Sequence, residues 1–403
     1  MNTQIATSST TSASGAVLTD GRLAESLAIL AKSVNTSTTV PILANVLIEH
    51  NGTMLRVSAT DLETRAVAEF PCDETFGPFS TTASAKSLLA LLKGKKGPVK
   101  LQLLEEKLFV TIGGATTALP TLPADEYPPA KLGKVEVSTL TDYASFRKVF
   151  TDVSQFASTE EARGAVLMST LLNLGQLCIA ATDGYTLASQ PVNVSPIADR
   201  QPAREPNSDS LHFLIPPNVG KLLAALKPEK ATTRTLHITV EEKAQIRFAV
   251  AMTGVSYIFT SRLVDGKYPN LDRVIAPRPT NVVNVDRVAL LSALKGAQNI
   301  VDRFGACKVT LSDEYTSGSG EGTLKISATN EVAGEFETTL PVNPETMYGQ
   351  IAIGFQARRF IDALRPFDGE SVQIAVVDPL RPATLTNPDG KGITIVIMPM
   401  RLN

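Results

Sequence analysis

The segment LRVSATDLE, at residues 55–63, decides the fold, because the same short pattern returns twice further along the chain. The second copy is LCIAATDGY at 177–185, and the third is LKISATNEV at 324–332. Each copy alternates apolar and small residues and then reaches Ala-Thr-Asp or Ala-Thr-Asn, which predicts a strand that runs into a turn. The copies are much further apart than the roughly 20 to 50 residues of a solenoid repeat, so the repeating unit is a whole domain.

Two helical patterns accompany each copy of this strand. Apolar residues spaced three and four apart precede it at 22–34, 145–157 and 289–301, and a second set follows it at 84–94, 219–228 and 357–366. Further strands are predicted, for example 99–104 paired with 107–112 across a two-residue turn. The fold class is therefore α+β, with three repeated domains at 15–135, 136–278 and 279–403, after a Ser/Thr-rich tail at 1–14 that is expected to be disordered.

The composition excludes several classes of protein. The chain has 403 residues, of which 43% are hydrophobic, but no apolar run approaches the roughly 18 residues of a membrane span. The N-terminal residues have neither a basic start nor an apolar stretch, so no signal peptide is expected. Three cysteines without a CxxC pair and only three histidines give no disulfide framework and no zinc site. We expect neither a metal nor another cofactor.

The recurring aspartates Asp61 and Asp183 raise the question of catalysis, because paired carboxylates serve general acid and base chemistry. The third copy has Asn330 at this position, and Asp and Asn both stabilise turns by accepting hydrogen bonds from nearby backbone amides. A turn role is therefore favoured over a hydrolase that would use Asp61 or Asp183 as its base, and the chain is predicted not to be an enzyme.

The distribution of charge is more informative than its sum. The formal net charge is only −2, yet the six helical segments carry an excess of lysine and arginine while the rest of the chain is net negative. One interpretation is an ordinary solvated surface, because exposed helix faces and helix C-termini commonly carry lysine and arginine. The alternative interpretation is that the helices share one face that attracts phosphates without reading bases.

Five segments together carry a resemblance to a known family: VPIL (40–43), SATDLE (58–63), AATDGYTLA (180–188), FTSRLVDGKYPN (259–270) and VIMPMRL (396–402). With the triplicated domain, they resemble the bacterial DNA polymerase III beta subunit, the sliding clamp, in register from about residue 18 to 402. The resemblance implies three domains of the DNA clamp fold and a closed ring of two protomers, joined head to tail, with helices lining the hole. The implied function is to encircle double-stranded DNA without sequence specificity and to confer processivity in replication.

The resemblance also implies a groove for short peptides of partner proteins. These partners are the DNA polymerase III alpha subunit, the clamp loader, and other clamp-motif polymerases and repair proteins. No membrane partner is implied. The expected location is the bacterial cytoplasm, at the nucleoid during replication. The groove residues carried over by motif are Thr182, Gly184, Tyr185, Thr186, Leu187, Pro269, Arg273, Val274, Val396, Ile397, Met398, Pro399, Met400 and Arg401, with Val166, Leu380 and Pro382 aligned less securely.

Two further sets follow from the same resemblance. The residues expected to face DNA are Lys86, Lys93, Lys95, Lys96, Arg147, Lys148, Arg163, Lys221, Lys227 and Lys295. The residues expected at the dimer interface are Leu119, Ile300 and Val301.

The chain departs from the family pattern at several positions. Ser37 stands where many members have a basic residue, and Gly164-Ala165 stands where some have an aromatic pair, which puts individual DNA contacts there in doubt. Tyr185-Thr186 replaces a pair that is often His-Arg, and Arg359 falls where an aromatic residue is expected. A clamp copy specialised for repair or resistance therefore stays open beside the main replicative clamp.

Overall fold

The protein was analysed as a computed structural model, which describes residues 14–34, 38–95, 97–130, 133–196, 211–242, 245–274, 279–301, 305–313 and 322–402. The strands, in chain order, are β1 Ser14–Leu18, β2 Asn45–His50, β3 Met54–Thr60, β4 Thr64–Pro71, β5 Glu74–Gly77, β6 Phe79–Ser84, β7 Val99–Leu104, β8 Lys107–Ile112, β9 Ala115–Leu122, β10 Val135–Asp142, β11 Thr170–Asn173, β12 Cys178–Thr182, β13 Thr186–Pro191, β14 Ser195–Pro196, β15 His212–Ile215, β16 Ala231–Glu241, β17 Gln245–Met252, β18 Val255–Arg262, β19 Asn281–Asp286, β20 Ala306–Ser312, β21 Gly322–Asn330, β22 Gly334–Thr346, β23 Ile351–Gln356, β24 Ser371–Val376, β25 Ala383–Thr386 and β26 Thr394–Ile397.

Helices cover each of the six segments that the sequence predicted as helical. The α-helices are α1 Arg22–Leu30, α2 Ala85–Leu92, α3 Tyr143–Ser154, α4 Ala165–Met168, α5 Pro217–Ala225, α6 Leu271–Val274, α7 Arg287–Gln298 and α8 Ala357–Leu364. Short 3₁₀ helices lie at Ala31–Ser33, Pro41–Ala44, Ala124–Glu126, Glu161–Arg163 and Pro228–Lys230. Among the described residues, no helix has both the length and the apolar character that a membrane crossing requires.

The described residues divide into two compact units. The first lies within Met1–Arg147, Asn193–Glu205 and Ile215–Leu263, and its strands form one sheet in the order β14-β10-β16-β17-β18-β4-β3-β2-β6-β9-β8-β7-β1-β5. The second lies within Lys148–Val192, Pro206–Leu214 and Val264–Asn403, with the strand order β15-β11-β12-β13-β26-β25-β24-β19-β22-β21-β20-β23. The strand pairs are antiparallel, as in an α+β fold. The predicted domain boundaries at 135 and 278 stay predictions.

The three repeated segments have the same local structure. Each forms a strand, β3, β12 or β21, that pairs with the next strand, β4, β13 or β22, across a short turn. The predicted hairpin of β7 and β8 is also confirmed, with Glu105 and Glu106 both at positive φ, as a two-residue type I′ turn requires. Ser14, which the sequence assigned to the tail, begins β1, while residues 1–13 lie outside the described part.

Side-chain caps begin three of the described helices, α2, α3 and α7. Ser84 accepts a hydrogen bond from the backbone amide of Ser87 at 3.3 Å, Asp142 from that of Ser145 at 2.8 Å, and Asp286 from Ala289. Each cap satisfies an amide that has no partner within the helix, so these sequence positions fix where the helices start.

The helices bury one face each and pack in pairs. In the first unit, α1 packs against α2 and α5, and the hydroxyl of Tyr143 on α3 donates to the carbonyls of Leu223 and Leu226 at 3.1 and 3.0 Å. In the second unit, α7 packs against α8, which buries Phe360 and Leu364. The inner faces of the sheets and the buried faces of the helices form the apolar core. The lysines of the helices are exposed to solvent.

Candidate functional site

The turn between β12 and β13 is held by side-chain hydrogen bonds to its own backbone. The Asp183 carboxylate accepts from the amides of Tyr185 and Thr186 at 2.9 and 2.8 Å. The Thr182 hydroxyl donates to the carbonyl of Thr186 at 2.7 Å and accepts from the amide of Gly184 at 3.0 Å. Gly184 has φ +87°, which favours glycine. This network presents Tyr185 outward, with 46% of its surface exposed.

The other two copies confirm the turn role that the sequence predicted for these carboxylates. Asp61 accepts hydrogen bonds from the amides of Glu63 and Thr64, and Asn330 from those of Val332 and Ala333. Since the side-chain amide oxygen of Asn330 accepts the same kind of hydrogen bonds in the third copy, this position stabilises the turn backbone in all three copies.

Strand pairing brings the end of the chain beside the second-repeat turn. β13 and β26 are antiparallel neighbours, with Leu187 opposite Val396 and Thr186 opposite Ile397. Beyond β26, the amide of Met398 donates to the carbonyl of Tyr185 at 2.9 Å, and that of Met400 to the carbonyl of Gly354 at 2.8 Å. Two motifs that lie about 200 residues apart in the sequence therefore form one surface.

Gly354 allows the close approach of the chain end to β23. A Cβ atom there would lie 2.6 Å from the carbonyl oxygen of Met400 and 2.9 Å from the Leu402 side chain. Because the first of these atoms is backbone, it cannot move aside cheaply. Backbone hydrogen bonds at Met398 and Met400 thus position this part of the chain.

An apolar cluster lies beneath this surface. It contains four of the residues predicted for the groove, Val166, Leu187, Val274 and Val396. The other members are Leu171, Cys178, Ala180, Leu214, Val264, Tyr268 and Leu271. Gly266 lets Val166 pack closely, since a Cβ at position 266 would lie only 2.4 Å from a methyl group of Val166. The cluster gives the groove a rigid floor.

Exposure separates the predicted groove residues into floor and rim. Five are buried: Thr182, Thr186, Leu187, Val396 and Ile397. Those with exposed or half-buried side chains are Val166, Tyr185, Pro269, Arg273, Val274, Leu380, Pro382, Met398, Pro399, Met400 and Arg401, while Gly184 exposes its backbone. Leu380 is 81% exposed in the loop between β24 and β25, and its only described hydrogen bond runs from its amide to Asp378. Leu380 has no described contact with the cluster.

Two arginines stack on the ring of Tyr185. The guanidinium carbon of Arg163 lies 4.5 Å from the ring centroid, and that of Arg359 lies 4.6 Å away. Arg359 also forms an ion pair with the Asp183 carboxylate, and Arg163 donates to the Asp183 carbonyl at 3.2 Å. Hydrogen bonding with Tyr185 raises the pKa of Arg163. This stack, named here the Arg–Tyr–Arg stack, fixes the exposed ring at one side of the groove.

The floor contains groups whose ionised forms are disfavoured. Burial raises the pKa of the Tyr268 hydroxyl, with a contact to the Thr182 backbone acting in the opposite direction. Burial likewise raises the pKa of the Cys178 thiol. Both groups therefore stay neutral at physiological pH, and the floor offers an uncharged apolar surface to a ligand.

The predicted DNA-facing residues differ in their surroundings. Seven of them have exposed side chains: Lys86, Lys93, Lys95, Lys148, Lys221, Lys227 and Lys295. Of these, Lys148 pairs with Asp152 at 2.8 Å and Asp368 at 3.1 Å. Arg147 is half-buried and donates to the carbonyl of Ala224 at 2.7 Å, at the end of α5. Arg163 belongs to the Arg–Tyr–Arg stack. Lys96 and Ser37 lie outside the described residues.

The predicted interface residues differ in their exposure. Leu119 lies on β9 with 8% of its surface exposed, and Ile300 and Val301 follow the end of α7 with half-buried side chains.

Gly164 has φ +82° and precedes α4, so the departure at 164–165 places a glycine turn where some family members have an aromatic pair.

Strand pairing brings the predicted groove motifs together, and the groove itself stays a prediction. The predicted set omits Tyr268 and Gly266, which lie inside the matched segment FTSRLVDGKYPN and pack against the same cluster. An aromatic residue directly before Pro269 is the sequence signal for the first of them. Among the described residues, no group of His, Cys, Asp or Glu side chains is arranged to hold a metal ion.

An α+β chain with this strand order and this pairing of β13 with β26 matches the DNA sliding clamps. The DNA polymerase III beta subunit N-terminal domain matches residues 17–132, and the C-terminal domain of the same subunit matches residues 272–401. The beta sliding clamp of Pseudomonas aeruginosa is 30% identical over 386 residues, which are 94% of this chain and 98% of the relative. That of Escherichia coli K12 is 26% identical over 370 residues, 90% and 93% of the two chains.

A crystal structure of the DNA polymerase III subunit beta from P. aeruginosa superposes with a TM-score of 0.81 at 26% identity, covering 96% of this chain and 100% of that one. The chain belongs to the family of DNA polymerase III beta subunits, and it is a DNA sliding clamp. The predicted family and the α+β clamp fold are thereby confirmed.

Proposed function

We propose that two copies of this chain close head to tail into a ring around duplex DNA and hold replication proteins on it through the second-repeat groove. The observation that carries the proposal is the pairing of β13 with β26, which assembles TDGYTL and the chain end over one apolar cluster. The near full-length similarity to beta sliding clamps supports it.

The groove suits a short apolar peptide. Met398 is 42% exposed beside the exposed ring of Tyr185, above the floor formed by Leu187 and Val396. Methionine is flexible and polarisable, so it can adapt to different partner side chains. The expected partners are the DNA polymerase III alpha subunit, the clamp loader and other clamp-motif polymerases and repair proteins.

The contact with DNA is electrostatic and independent of sequence. The exposed lysines lie on or next to α2, α3, α5 and α7, and a flexible ammonium group attracts phosphate without reading base edges. Because a ring is retained by its topology, each contact can stay weak enough to permit sliding. A clamp that works on chromosomal DNA acts in the cytoplasm, at the nucleoid.

The head-to-tail interface joins Leu119 of one protomer to Ile300 and Val301 of the other. Such a contact makes a closed ring only when its rotation suits two members. The chain has no catalytic role in this scheme, since Asp61 and Asp183 already bind turn amides.

Retention on circular DNA tests the proposal. The chain is loaded by its clamp loader onto a nicked plasmid, the plasmid is cut once or left intact, and bound protein is separated by gel filtration. We expect the protein to stay on the circle and to leave the cut molecule, because only a free end releases a ring. Equal retention on both forms contradicts topological binding.

A further inference from the structure

A second groove lies at the first-repeat turn, in the first unit. It encloses about 570 Å³, within the range of sites that bury a compact ligand. Its lining residues are Thr60, Leu62, Glu63, Thr64, Arg65, Pro128, Pro129, Ala130, Gln245, Thr260, Ser261 and Arg262. The name first-repeat groove is used below for this set.

The first-repeat groove is built from the same parts as the second-repeat groove. The turn from Thr60 to Thr64 has the hydrogen bonds of the turn from Thr182 to Thr186, including a threonine hydroxyl that donates four residues ahead, at 2.9 Å. β4 pairs with β18 as β13 pairs with β26, and a Tyr-Pro pair, at 127–128, lies beside it as 268–269 does in the other groove. The repeat therefore supplies a second copy of the scaffold with different side chains.

Leu62 is the side chain that distinguishes the two turns. It is 60% exposed and has φ +79°, a backbone region that non-glycine residues rarely adopt, whereas the equivalent residue in the second repeat is Gly184. A strained backbone that holds a large apolar side chain in solvent is typical of functional positions. Pro128, Pro129 and Ala130 continue this apolar wall.

Arg65 gives the groove a positive charge. Its guanidinium donates to the Pro128 carbonyl and lies 5.7 Å from the Tyr127 ring centroid, and no described carboxylate forms an ion pair with it. Burial lowers the pKa of Arg65, so its charge lacks part of its hydration. Arg262 adds a second guanidinium at the rim, where its Nη1 forms an ion pair with Glu63 Oε1 at 3.4 Å.

We propose that the first-repeat groove binds an extended peptide segment of a partner protein in which an apolar side chain lies next to a carboxylate. The apolar side chain contacts Leu62 and the proline wall, and the carboxylate pairs with Arg65. The guanidinium groups of Arg65 and Arg262 favour an acidic segment over a basic one, and the apolar wall of Leu62 and the prolines favours a peptide over nucleic acid.

Photo-crosslinking to the full chain tests this site. The probe is a terminally blocked hexapeptide of alternating leucine and aspartate that carries a benzophenone, and mass spectrometry locates the crosslinked residues. We expect crosslinks within 60–65, 128–130 or 260–262, reduced at least tenfold when the aspartates of the probe are replaced by asparagine.

Leu62→Gly removes the apolar contact and relieves the strained backbone. We expect at least a tenfold loss of crosslinks at this groove, with a thermal unfolding midpoint that does not fall. Val332→Gly is the matched control, since Val332 is 97% exposed at the third-repeat turn and its loss should leave the crosslinks unchanged.

Two outcomes overturn the proposal. One is undiminished crosslinking at the first-repeat groove in Leu62→Gly. The other is crosslinking confined to 182–187 and 394–400, or none at the first-repeat groove at millimolar probe, which would leave the proposed function of the second-repeat groove intact.

Discussion

Replacing Tyr185 by alanine should weaken partner binding more than it weakens the fold. A tyrosine buries roughly 150–250 Å² when fully enclosed, and Tyr185 is 46% exposed, so roughly 70–115 Å² is available to a bound peptide. At about 25 cal/mol per Å² this area corresponds to roughly 2–3 kcal/mol, of which part is offset by the ordering of the peptide. We expect the dissociation constant to rise by about 10- to 30-fold.

The fold should change little in this variant. The amide of Met398 bonds to the Tyr185 carbonyl, which alanine retains, and the Asp183 carboxylate still holds the turn. The ring stacks against two arginines on an exposed surface, where such contacts are weak. The thermal unfolding midpoint should therefore stay close to that of the parent chain.

Fluorescence anisotropy with a labelled clamp-binding polymerase peptide measures the effect. Tyr185→Phe keeps the ring and should bind within about threefold of the parent, and Val332→Ala, at the equivalent position of the third-repeat turn, should have no effect. If Tyr185→Ala binds as tightly as the parent while its unfolding midpoint is unchanged, Tyr185 is not part of the partner surface.

Three further predictions concern assembly, DNA and the fold. The double variant Ile300→Asp, Val301→Asp would bury charge at an apolar contact and should sediment as a monomer; a dimer would rule out this interface. Lys93→Glu with Lys95→Glu should shorten retention on nicked circular DNA and flatten its dependence on salt, whereas an unchanged salt slope would show that these lysines are remote from DNA. Asp142→Ala removes the cap of α3 and should cost about 1 kcal/mol of unfolding free energy at pH 7.

The pH dependence of the last variant has a defined sign. Hydrogen bonds from the side chain and the amide of Ser145 lower the pKa of Asp142 in the folded state. The stabilisation is therefore complete above the unfolded value of about 3.9 and is lost as the pH falls through the lower folded value. Urea unfolding of both chains should give a difference that shrinks below about pH 4. A difference that is constant with pH would mean that the ionised carboxylate is not what caps α3.

The sequence predicted the elements well because the signals were local. Three copies of a strand ending at Thr60, Thr182 or Thr329 and six amphipathic segments each specify their own structure through periodicity and turn chemistry. The residues of the groove are predicted by motif, since the two motifs are each distinctive, and they stay a prediction. Their adjacency depends on β13 pairing with β26, and no local pattern encodes a partner about 200 residues away.

Details that depend on one side chain meeting another could not be predicted in the same way. The position of Arg359 suggested only that an expected aromatic residue was missing. In the structure it lies against the ring of Tyr185 and pairs with Asp183, so an arginine occupies the place of an aromatic neighbour. Lysines on a helix are equally ambiguous, because sequence does not distinguish an exposed ammonium such as Lys295 from one paired as Lys148 is.

The three turns show how one scaffold can be given different tasks. An aspartate or asparagine holds the backbone in each, so the residue that follows is free to vary without loss of the fold. Glycine at position 184 leaves the next side chain, Tyr185, to form the rim of the second-repeat groove, whereas Leu62 itself projects in the first repeat. Since the first two turns share their hydrogen bonds and a positive φ at Leu62 or Gly184, recognition can change between these two repeats while the strand framework stays constant.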